Sequence, residues 1–156
     1  MTSFFHAVPI GLERELGSYT FERNEIMRFA EKFDPQPFHL NDEAAEASLF
    51  GALCASGWHV TAVWMKTNIE SGRSAFDNVV DFDGEPVFGP SPGVRNLRWK
   101  APVFPGDTIT FRSRLNAKRE TPHRPGWGML MSSESGTNQR GVEVMTFDGA
   151  VTVRTD

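Results

Sequence analysis

The sequence predicts an α+β protein in which a curved antiparallel sheet wraps a long central helix. Two observations carry this. Gly57 to about Ile69 reads as a helix whose apolar side chains (Trp58, Val60, Ala62, Val63, Trp64 and Met65) cover nearly every face. A helix that is apolar all round needs cover on all sides. From residue 77 onward the chain changes to alternating runs divided by hairpin-like turns, the mark of antiparallel strands. A strongly curved sheet would supply much of the cover that the helix needs, which is a layered α+β solution.

Each element follows in turn. Residues 1–17 have no clear period, and Tyr19 and Phe21 alternate with Thr20 as a short strand. Glu22 to Phe33 reads as a helix, because Ile26, Phe29, Ala30 and Phe33 fall at i, i+3, i+4 and i+7. Pro35 makes it stop by Asp34. Asn41 and Asp42 open a short helix through Ala47. Ser56 caps the central helix, and Ser71-Gly72 ends it. Val79 to Phe82 is strand-like, and Glu85 to Gly93, rich in Pro and Gly, is a loop. Leu97 and Trp99 then alternate with Arg98 and Lys100. Ile109, Phe111 and Leu115 alternate with Thr108, Thr110, Arg112 and Arg114. Runs near Trp127 to Ser133 and Val142 to Val153 complete the sheet, with Asp148-Gly149 as a bulge or turn.

The 156 residues fit one domain spanning 1–156, long enough to bury a core without disulfides or metals. A net charge of -4 with scattered basic residues argues against a nucleic-acid or anionic-membrane surface. The longest mostly apolar stretch, Leu49 to Met65, is broken by Gly51, Gly57 and His59 and falls short of a membrane span. No basic segment followed by an apolar core opens the chain, so the expected location is cytoplasmic. Cys54 is the only cysteine and sits among apolar neighbours, which suits a buried inert thiol. The competing reading is a nucleophile paired with His59, about one helical turn away. His59 itself is expected to hydrogen-bond within the core. No His or Cys pair has zinc-ligand spacing, no Gly-rich phosphate loop follows a strand, and Gly-x-Ser-x-Gly is missing. No cofactor or metal is expected.

The chemistry concentrates in Asp34-Pro35-Gln36-Pro37-Phe38-His39. Two prolines stiffen a segment that carries a carboxylate and an imidazole five residues apart. An Asp and a His held close together can orient one water and take its proton. The competing reading is a structural turn that ends the preceding helix.

Asp34-x-x-Pro37-x-His39, followed by Leu40 and Asp42, resembles the signature of the MaoC-like dehydratases, the (R)-specific enoyl-CoA hydratases (hydratase 2) of hotdog fold. Phe50-Gly51 and Ala55-Ser56-Gly57 look like that family's lead-in to its central helix. Val103-Phe104-Pro105-Gly106-Asp107 looks like its turn between two long strands. The resemblance implies that Asp34 and His39 activate water for addition to a trans-2-enoyl thioester, or run the reverse dehydration. It implies that the Gly57 N–H holds the thioester carbonyl, and a glycine there would equally serve tight helix packing. Phe33, Gln36 and Met65 depart from the usual Gly, Asn and small polar residue, and bear on substrate more than on chemistry.

Arg95, Arg98 and Lys100 are candidates to meet CoA phosphates, or else form a solvated strand face. The expected partner is an acyl-CoA or acyl-carrier-protein thioester. An unpaired sheet edge implies a homodimer, or a higher assembly of dimers, with the site near the subunit boundary. A hotdog thioesterase and a non-catalytic acyl-thioester binding protein are the alternative functions.

Overall fold

The computed structural model describes residues 2–82 and 84–156. The chain opens with one turn of helix, α1 (Phe4–Ala7), and strand β1 (Glu13–Thr20). Three helices follow: α2 (Arg23–Phe33), α3 (Pro37–Leu40) and α4 (Asp42–Glu46). Then come the long helix α5 (Gly57–Ser71), a 3₁₀ turn at Arg73–Phe76, and four strands. These are β2 (Val94–Trp99), β3 (Thr108–Glu120), β4 (Trp127–Thr137) and β5 (Glu143–Arg154). All five strands form one antiparallel sheet in the order β1-β3-β4-β5-β2. This is the hotdog arrangement.

Helix α5 lies on the inner face of the sheet. Val60, Val63 and Trp64 pack with Ile109, Phe111, Met145 and Phe147 in one buried cluster. The Trp64 and Phe147 rings meet edge to face at 4.6 Å between centroids, a favoured aromatic geometry. A second cluster (Phe4, Phe5, Val8, Val79, Leu115, Leu130 and Val153) closes the other end of the sheet. The Ser56 side chain accepts from the Trp58 N–H as N-cap, and Gly72 stands at the C-cap with φ 49°. The Asn41 side chain likewise caps α4, accepting from the Ala44 N–H. The Phe104–Asp107 turn joins β2 to β3. Its buried Asp107 accepts from the Phe104 N–H and the Gln139 side chain, and Gly106 sits at φ 89°.

The structure corrects four sequence expectations. Residues 1–17 hold a helical turn and most of β1. That strand lacks a readable period because a bulge at Leu16–Gly17 breaks its alternation, with Gly17 at φ 139°. Val79 to Phe82 is not a strand. Val79 enters the second cluster, while Val80 is exposed. Asp148-Gly149 runs straight through β5, paired on both sides. The bulge lies instead in β2, where Asn96 (φ 54°) and Leu97 stand opposite Phe147. Finally, α5 is not covered all round. Trp58, Met65 and Ile69, on one stripe, are 55%, 47% and 68% exposed. The curved sheet reaches the remaining faces and leaves this one open.

Candidate active site

Asp34 is the C-cap of α2, and its N–H still donates to the Ala30 carbonyl. Gln36 is extended (φ -79°, ψ 142°), the conformation that a following proline favours. Pro37 then opens the single turn α3, a position where proline costs no hydrogen bond. This turn swings His39 back towards Asp34. The His39 Nε2 lies 3.3 Å from Asp34 Oδ2, with the imidazole 6% and the carboxylate 16% exposed.

Both side chains are fixed by further partners. The Ser56 hydroxyl donates to Asp34 Oδ2 at 2.7 Å, and Gln36 Nε2 donates to Asp34 Oδ1 at 2.6 Å. His39 Nδ1 lies 2.6 Å from the Cys54 carbonyl oxygen. A carbonyl only accepts, so Nδ1 carries a proton and donates. Nδ1 is thereby fixed as a donor, and Nε2 is the nitrogen that faces the carboxylate. Burial alone would raise the Asp34 pKa, but the bonds from Ser56 and Gln36 and the adjacent His39 outweigh it and hold it below the ordinary carboxylate value. Asp34 is therefore an anion at neutral pH. The pair presents a carboxylate and an imidazole nitrogen to one point, where a single water beside them could meet both, the requirement of general acid–base work.

Ser56 links the pair to α5, because the same hydroxyl that caps the helix donates to Asp34. Gly57 is the first residue of that helix. The Trp99 indole lies on its Cα, so that a Cβ would be driven into the ring. Trp99 Nε1 donates to Thr61 Oγ1 at 3.1 Å. Gly57 thus serves close packing. Among the described residues its N–H meets no acceptor, as is usual in a first helical turn, and it remains available as a donor.

The structure separates the other candidates from this pair. Arg95 and Arg98 lie on the edge strand β2, and Lys100 follows it in an ion pair with Glu143 at 2.5 Å. Among the described residues no hydrogen bond or ion pair joins any of the three to Asp34 or His39. Cys54 is buried, and burial followed by the Asp34 charge pushes its thiol up to about 11. A protonated thiol is a poor nucleophile, so the inert reading holds. Its Sγ lies 3.8 Å from His39 Nδ1, making His39 rather than His59 the imidazole beside it. His59 stacks on Phe29 and meets Phe21 edge-on, and its buried Nδ1 has no hydrogen-bond partner among the described residues. The expected core hydrogen bond is not made.

An enclosing slot is not formed around the pair by either of two cavities in the chain, of about 580 and 400 Å³. Neither is lined by Asp34, His39 or Gly57. Exposed Phe33 precedes Asp34, exposed Trp58 follows Gly57, and Phe50 packs on Phe38. Sequence reasoning missed the Ser56 and Gln36 donors to Asp34 and the Cys54 carbonyl that sets the imidazole. Ser56 was visible only as a cap, because its second bond spans 22 residues.

The MaoC like domain model matches residues 7–124. The chain is 30% identical over 144 residues to the uncharacterized protein YdeM of Bacillus subtilis (strain 168), covering 92% of each. The crystal structure of the MaoC-like dehydratase from Rhodospirillum rubrum superposes with a TM-score of 0.79 at 30% identity, over 97% of this chain and 96% of that one. The unliganded (R)-hydratase PhaJ1 from Pseudomonas aeruginosa shares the fold with a TM-score of 0.66 at 18% identity, over 99% and 88% of the two chains. With a fold, a signature segment and a family match that agree, this chain belongs to the MaoC-like dehydratase family.

Proposed function

We propose that the chain, as one MaoC-like unit over residues 1–156, adds water to a trans-2-enoyl thioester or removes it from the 3-hydroxyacyl product. The observation that carries this is the contact of Asp34 Oδ2 with His39 Nε2 at 3.3 Å, with Nδ1 pinned to a carbonyl. In hydration, the water bridges the two groups. Nε2 takes its proton as the oxygen attacks the β-carbon, and the resulting imidazolium is stabilised by the Asp34 anion. The same proton then returns to the α-carbon. Charge that builds on the thioester oxygen meets the Gly57 N–H at the positive end of α5.

An uncovered face of the chain suits the same reading. The stripe Trp58, Met65 and Ile69, with Trp99 beside it, is an uncovered apolar face next to the pair. The edge strand β2 adjoins it through Trp99. We propose a homodimer joined there, whose partner closes the slot over Asp34 and His39.

Incubation with crotonyl-CoA and a panel of longer trans-2-enoyl-CoA thioesters tests the activity. Loss of enoyl absorbance without release of free thiol is the expected result. Thiol release would mean a thioesterase, and binding without either change would mean a non-catalytic role. Light scattering at micromolar concentration should give twice the chain mass.

A further inference from the structure

The far half of α5 borders a cavity of about 400 Å³ between the sheet and the segment that follows the helix. That volume lies in the range of small-molecule sites. Its wall is mostly apolar, with Val8, Leu12, Leu115, Leu130 and Val151, and Met65 and Ile69 of α5 contribute from the helix. Three charged side chains interrupt this lining: Arg14, Glu134 and, at its exposed rim, Glu85.

Glu134 is 4% exposed and well supplied with donors. It accepts from Trp64 Nε1 at 3.1 Å, from Ser113 Oγ at 2.8 Å and from Ser132 Oγ at 2.6 Å. The Ser113 hydroxyl, oriented by that bond, accepts from Arg14 Nη2 at 3.3 Å. The guanidinium also lies 4.2 Å from the centroid of the Phe76 ring. Among the described residues this is its one side-chain hydrogen bond, although a guanidinium offers five N–H donors. Glu134 thus makes three of the roughly four bonds that a carboxylate can accept, while the arginine's donors are largely unused. The buried end of the cavity therefore offers chiefly donors and suits a ligand that brings an acceptor.

The exposed stripe of α5 leads from the pair towards this cavity. Trp58 follows Gly57, and the exposed stripe of α5 runs from it to Met65 and Ile69 at the cavity wall. Eight residues of helix separate Gly57 from Met65, about 12 Å at the usual rise, so a chain reaching the cavity has on the order of eight to ten carbons.

We propose that this cavity receives the distal end of the substrate's acyl chain, and that Arg14 selects chains bearing a neutral oxygen there, a hydroxyl or keto group. The proposal rests on the enoyl-thioester reading above for its substrate class. A terminal carboxylate fits less well, because Glu134 already balances the arginine and would repel a second anion.

The test compares trans-2-decenoyl-CoA with its 10-hydroxy and 10-carboxy derivatives, using the intact protein. The hydroxy compound is expected to have about tenfold higher kcat/KM, carried in KM, as suits a hydrogen bond to a charged donor. Arg14→Met should bring that ratio to about one, and Arg14→Lys should lower it partway by removing the planar fork. An equal ratio in the wild type, a preference for the carboxy compound, or an unchanged ratio in Arg14→Met would overturn the proposal. Should Arg14→Met fail to fold by circular dichroism, the wild-type panel and Arg14→Lys decide. Calorimetric binding of decanoyl-CoA and 10-hydroxydecanoyl-CoA separates this inference from the hydratase reading. A protein that binds the hydroxy compound more tightly but hydrates nothing would sink the reaction and keep the pocket, and equal binding of the two would sink the pocket.

Discussion

The two ends of α5 treat buried polar groups in opposite ways. At its N-terminus, Asp34 and His39 are held by Ser56, Gln36 and the Cys54 carbonyl, which leaves one imidazole nitrogen and one anion facing each other. Farther along, the carboxylate of Glu134 accepts three bonds, and most of the spare capacity belongs to the donors of Arg14. In the proposed reading the first end holds and moves a proton, and the second recognises an acceptor. The lesson is that burial alone does not mark a reactive group. What distinguishes the two ends is which hydrogen-bonding valence remains unfilled once the local partners are counted.

The largest effect should come from the proton-handling end. Asp34→Asn and His39→Ala are each expected to lower turnover of a trans-2-enoyl-CoA by about 100-fold or more, the scale of a lost general acid–base group. Steady-state kinetics on the folded variants checks this, and near-wild-type rates in either would erase the distinction between the two ends. Ser56→Ala removes a helix cap and a hydrogen bond to an anion together. Chemical denaturation should show a loss of about 2–3 kcal/mol. With that donor gone the Asp34 pKa moves up, so the acid limb of the pH–rate profile should shift to higher pH. An unshifted limb would mean that Ser56 only caps the helix.

Gly57→Ala forces a Cβ into the Trp99 indole, and a cost of about 1–3 kcal/mol is expected from overpacking. Trp99→Ala in the same chain should recover much of it. Additive losses in the double mutant would show that the two positions do not meet.

The smallest effect concerns His59. Burial lowers its pKa, with Glu25 partly opposing. The folded protein therefore binds the proton less readily than the unfolded chain. This part of the stability is complete above about pH 6.5 and is lost as pH falls from there towards the folded-state pKa. His59→Phe should flatten thermal-melt midpoints across that window, and an unchanged slope would remove His59 as the cause.

Much of this was readable from the chain because it is local. The period of Ile26, Phe29, Ala30 and Phe33 gave α2, the Ser56 and Gly72 signals bounded α5, and alternation gave β3 and β5. Asp34 and His39 were legible because two prolines and five residues of chain constrain their approach. Apart from the Gln36 donor to Asp34, the hidden features are long-range. Leu16–Gly17 and Asn96–Leu97 are bulges defined only by a partner strand.

The identity of the central helix, the antiparallel sheet and the acid–imidazole segment thus belonged to the sequence, since periodicity and backbone restriction act over a few neighbouring residues. The Ser56 donor that helps keep Asp34 ionised, the open face of α5 and the meeting of Arg14 with Ser113 and Glu134 belonged to the tertiary structure alone. Those groups are separated by 22, 99 and 21 positions along the chain (Ser56 to Asp34, Arg14 to Ser113, Ser113 to Glu134). Their contact depends on how a curved sheet closes around a helix, which no local pattern encodes.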